Sequence, residues 1–183
     1  IHGERSEEAS EEVPEGKGND SCSVCSRAGS TVRCRKRGTV VMGKVIVIGS
    51  QKGGVGKTTT TLNLAYSLHS MGKKVLTIDF DSQANLTTCY GVEDTNELDY
   101  TIGHLMMAQI AEDVPECLEA FIQSKDGVDF ISSSIYLSVV DAKLRTEMGA
   151  ERMLAEALEP IKDRYDYVLI DTCPSLGMLT INA

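Results

Sequence analysis

From residue 43 onward, short β-branched runs alternate with stretches of helical apolar spacing. Lys44-Val45-Ile46-Val47-Ile48-Gly49 is a β-branched run closed by glycine, the pattern of a buried parallel strand. Residues 53–56 form a glycine-rich loop. The spacing over 58–71 predicts a helix, with Leu62, Ala65 and Leu68 on one stripe and Leu64 beside it, ended by Gly72. Lys74 to Asp79 reads as a second strand, so the opening is a strand, a crossover helix and a parallel strand. The pattern weakens between Asp81 and Gly127, where 105–110 and 115–123 read as short helices. Strands are predicted at 128–131 and 167–171 and helices at 136–148 and 151–164, the last ended or kinked by Pro160 near Glu159. This alternation predicts an α/β fold, a doubly wound and mostly parallel sheet with helices on both faces.

Residues 1–41 lack an apolar period and read as a disordered or artefactual leader, with ordered patterning starting after Met42. They hold seven basic and seven acidic residues, so the net charge of −9 belongs to residues 42–183. An acidic domain is not by itself an obvious nucleic-acid binder. Cys22, Cys25 and Cys34 would need a fourth ligand, which is not evident, to make a zinc site. Cys89, Cys117 and Cys173 lack metal-ligand spacing and read as reduced thiols. No apolar run reaches the roughly 18 residues of a membrane span. The first residue is not Met and the last ones lie in patterned sequence, so the chain reads as a fragment.

The chemistry concentrates in Lys52-Gly53-Gly54-Val55-Gly56-Lys57-Thr58-Thr59, between the first strand and the first helix. Small residues let backbone N–H groups turn inward onto phosphate oxygens, and the helix end adds a positive dipole. Lys57 is placed to reach the β- and γ-phosphates, and the Thr58 hydroxyl to bind Mg2+. The usual spacing asks for glycine at the position of Gln51; a second lysine, Lys52, stands in the loop instead. An added cation there stabilises charge spreading over a transferring phosphoryl group. Asp171 ends an apolar strand at the sheet's carboxyl edge, and Asp79 and Asp81 sit two apart at the end of another.

Residues 51–60 resemble the deviant Walker A motif of the ParA/MinD ATPase superfamily. Val75 to Thr87 resembles the second motif of its ParA/Soj partition branch, and Tyr165 to Gly177 resembles the Walker B strand and following loop. The resemblance covers 42–183 and implies the N-terminal portion of a P-loop ATPase domain whose remaining strands, adenine pocket and DNA-contacting residues lie past residue 183. It implies ATP and Mg2+ as cofactors. The loop residues Lys52, Gly53, Gly54, Val55, Gly56, Lys57, Thr58 and Thr59 would hold the nucleotide, and Thr58, Asp79 and Asp171 would hold or surround the metal. Asp81 would position the attacking water, and Lys52 would reach a partner's nucleotide across an ATP-dependent homodimer. A ParB-like partner, non-specific DNA, and a cytoplasmic, nucleoid-associated location without membrane insertion follow from the same likeness. Ser82 and Cys173 stand where the family usually has proline.

Three rivals are separable. A MinD-like membrane-cycling ATPase would need a C-terminal amphipathic helix. A nitrogenase-iron-protein-like reductase would need paired cysteine ligands, which the three scattered cysteines do not supply. A pure binding module would release no phosphate. The isolated 183-residue chain is expected to be poorly stable, with an exposed apolar sheet edge.

Overall fold

The computed structural model describes residues 43–115 and 117–183. The leader and the cysteines at 22, 25 and 34 lie outside the described residues. The strands are β1 (Lys44–Ile48), β2 (Val75–Phe80), β3 (Ile122–Lys125), β4 (Val128–Ile131) and β5 (Tyr167–Thr172). The α-helices are α1 (Lys57–Ser70), α2 (Asn85–Cys89), α3 (Ile102–Ile110), α4 (Leu137–Leu144), α5 (Met153–Lys162) and α6 (Met178–Asn182). The sheet order is β1-β5-β2-β4-β3. All neighbours run parallel except β3 and β4, which are antiparallel.

The sheet is covered on both faces. Leu76, Ile78, Phe80, Val168 and Ile170 pack with α3, α4 and α5 on one side. Val75, Leu169, Val128 and Phe130 pack with Ala65, Leu86 and Tyr90 of the α1–α2 side on the other. Strict alternation along β2 and β5 produces this split, and every residue of β2 is buried. The register sets Asp79 beside Asp171. Both carboxylates therefore emerge on the α1–α2 face.

Three expectations change. β1 is not a buried strand: among the described residues it pairs only with β5, and Val45 and Val47 are 47% and 40% exposed. Residues 115–123 are not a helix; a single 3-10 turn at Glu119–Phe121 leads into β3. The cause is the Asp126-Gly127 turn, in which both residues have positive φ, the geometry of a two-residue hairpin. Pro160 does not end its helix, which continues to Lys162. The proline lies on the exposed side, so the carbonyl it leaves without a donor faces water, while fully buried Ile161 holds the last turn to the core.

Candidate functional site

The site forms where β1, β2 and β5 end. The chain leaves β1 through residues 49–56 and enters α1 at Gly56, whose φ of 87° and ψ of 26° are left-handed. No side chain caps this helix and its first turn holds no acid. Among the described residues, Gly53-Gly54 form a hydrogen-bonded turn that engages the Val55 amide, while the Gly53, Gly54 and 56–59 amides have no protein acceptor; Lys52 N–H donates to Ser50 Oγ at 3.3 Å and Thr60 N–H to the Gly56 carbonyl at 2.8 Å. Unpaired donors at the positive end of a helix dipole make an anion cradle. A Cβ added at Gly53, Gly54 or Gly56 would meet nothing within 4 Å, so the concavity is open.

Asp171 closes the other side. Its Oδ2 accepts from the Thr58 hydroxyl at 2.6 Å, and its Oδ1 accepts from Thr61 Oγ1 at 3.4 Å. Desolvation raises the Asp171 pKa, the Thr58 and Thr61 hydrogen bonds oppose that, and Asp81 and Lys57 act in opposite directions through charge. A hydroxyl and a carboxylate side by side are hard oxygen donors, a set that fits Mg2+. Lys57 and Thr58 are half-buried, whereas Lys52 and Val55 are exposed; Lys52 forms no ion pair among the described residues.

Asp79 sits deeper. Its Oδ2 accepts from the Thr87 amide at 2.8 Å and the Thr87 hydroxyl at 2.7 Å, and its Oδ1 accepts from the Asp81 amide at 3.4 Å. Burial pushes its pKa up to about 7, against the Thr87 hydrogen bonds, with Asp171 adding to the rise. Asp81 Oδ1 accepts from the Gln83 amide at 3.0 Å, and the turn continues through Ala84 at φ 53°.

Thr58, Asp79 and Asp171 thus lie together at the strand ends, with Asp81 tied to Asp79 through its amide. Two further residues join. Thr61 stands one helical turn after Thr58, a spacing visible in the sequence. Thr87 belongs to α2, which carried no sequence signal. A groove of about 480 Å3 runs along α1 from Gly56 and Thr59 to Ser67. It meets the loop but is not lined by Asp81 or Asp171.

The family described as an AAA domain matches residues 43–183. The sporulation initiation inhibitor protein Soj of Bacillus subtilis is 40% identical over 142 residues, covering 78% of this chain and 54% of that protein. A cobyrinic acid a,c-diamide synthase from Mycobacterium smegmatis, solved with a bound ATP analog and magnesium, superposes with a TM-score of 0.69 at 33% identity, over 76% of this chain and 55% of that one. A plasmid partition protein from Borrelia burgdorferi superposes with a TM-score of 0.61 at 30% identity, over 76% and 59%. The chain spans about half the length of the curated relatives it matches.

Proposed function

The chain belongs to the AAA-domain family, among its ParA/Soj-like P-loop ATPases, and on that footing we propose that it binds and hydrolyses ATP with Mg2+ to drive the partitioning of DNA. The observation that carries the catalytic half is the pairing of the inward loop and first-turn amides with the Thr58–Asp171 contact at 2.6 Å. The amides of 53–59 and the Lys57 ammonium bind and orient the polyphosphate. Thr58 and Asp171 would hold the metal, with Asp79 beside Asp171 on the neighbouring strand. Bound magnesium supplies charge neutralisation on the phosphate oxygens. Asp81 orients the attacking water. Lys52, free and exposed, is available to a second copy's nucleotide, where its charge stabilises the γ-phosphoryl oxygens.

The partition role rests on the kinship with Soj and ParA proteins. In this reading ATP closes a homodimer, the dimer binds DNA without sequence preference at the nucleoid, and a ParB-like partner triggers hydrolysis and release. The chain acts in the cytoplasm without inserting in a membrane; among the described residues no helix is long and apolar enough to cross one.

The test uses the full-length protein, with phosphate release and ATP affinity measured in magnesium. Lys57→Ala is expected to weaken ATP binding and turnover together. Asp171→Asn is expected to lose the magnesium-dependent part of the affinity. Absence of any magnesium-dependent affinity for ATP in the wild type would overturn the reading.

A further inference from the structure

The segment between the end of β2 and the start of α2 contains Asp81, and a single buried carboxylate closes that segment at its base. Asp79 holds the Asp81 amide through one oxygen and both the amide and the hydroxyl of Thr87 through the other. Thr87 is itself fully buried and anchored a third time, because its hydroxyl oxygen accepts the Ser133 amide at 2.9 Å. A hydroxyl has one proton to donate, and here it goes to Asp79; its lone pair takes the Ser133 N–H. Thr87 therefore ties together the ends of β2 and β4 and the first turn of α2. The helix has its own anchor in Tyr90, stacked on Phe130 with ring centroids 4.4 Å apart and bonded through its hydroxyl to Thr77 Oγ1 at 2.9 Å.

We propose that Thr87 is a positioning residue for hydrolysis: by gripping Asp79 it fixes the backbone at Asp81 and hence the aim of the Asp81 carboxylate. The inference rests on the ATPase reading above. Its physical basis is that a small misplacement of a group that orients a reactant costs rate far more than affinity. Ser133 provides an internal control. Its side-chain hydroxyl is buried and has no hydrogen-bond partner among the described residues, so only its backbone takes part in the tie.

In the full-length protein, kcat and KM for ATP, and the Kd measured with a fluorescent ATP analogue and magnesium, separate positioning from folding. Thr87→Val keeps the shape and removes the hydroxyl; kcat is expected to fall roughly tenfold to a hundredfold, with Kd unchanged within about twofold. Thr87→Ser restores kcat, and Ser133→Ala leaves kcat and Kd as they are. Asp79→Asn also lowers kcat, and the Asp79→Asn/Thr87→Val double variant has a kcat no lower than that of the poorer single one, since both cut one linkage. Wild-type kcat in Thr87→Val, equal losses in binding and turnover without rescue by Thr87→Ser, or additive losses in the double variant each overturn the proposal. Should Thr87→Val not fold, Asp79→Asn decides, and full turnover there is fatal. A wild type that binds ATP but releases no phosphate defeats the ATPase reading itself and removes the step Thr87 would serve.

Discussion

Asp79 and Asp171 sit side by side on adjacent strands, and burial raises the pKa of each. A carboxyl that holds its proton more tightly when folded stabilises the fold at low pH. For Asp79 that contribution is complete below the ordinary 3.8 and is lost as pH rises through about 7. Asp171 shifts the same way. In magnesium-free buffer the urea midpoint of the full-length protein is therefore expected to fall between those pH values, and Asp79→Asn to flatten the slope. An unchanged slope in the variant would place the proton elsewhere. The sequence shows the spacing of Asp79, Asp81 and Asp171 but not their partners. A β period gives the face of a residue, whereas the Thr87 contact depends on a five-residue helix too short for periodicity to reveal.

At the level of elements, the legible parts were those whose burial is continuous. β2 and β5 are apolar runs covered on two faces, and α1 is bracketed by the loop and Gly72, so pattern and structure coincide. β3 was hidden because Gln123, Ser124 and Lys125 give an edge strand no apolar alternation; only the Asp126-Gly127 turn announces it. Pro160 reads in the sequence as a stop or a kink; the stop treats the helix alone, and tertiary burial of Ile161 carries the helix on to Lys162. Two substitutions follow. Pro160→Ala should raise stability by about 1 kcal/mol, since an exposed helical position regains its donor; a lower urea midpoint would count against this account. Gly43→Ala should do the opposite, because an added Cβ would lie 2.5 Å from the Lys162 carbonyl oxygen and 2.6 Å from that of Tyr165. The overlap falls on backbone at the end of α5, which cannot swing aside like a side chain. A midpoint equal to wild type would show that α5 and β1 separate without cost.

For the molecule as a whole, the proposed role of Lys52 toward a second copy is compatible with its exposure beside half-buried Lys57. Lys52→Ala in the full-length protein is expected to keep ATP affinity while losing turnover and the ATP-induced dimer seen by light scattering. Normal dimerisation with normal turnover would refute the role in trans. The sheet order has one more result. The loop strand β1 has the last strand, β5, as its neighbour, so the Thr58–Asp171 hydrogen bond joins residues 113 positions apart. During synthesis the amide cradle leaves the ribosome long before its acidic counterpart, and the strand beside it stays open in the meantime. The loop that would receive phosphate is made early, yet the Thr58 hydroxyl and the Asp171 carboxylate proposed to hold the metal meet only after residue 171 has been translated and has docked.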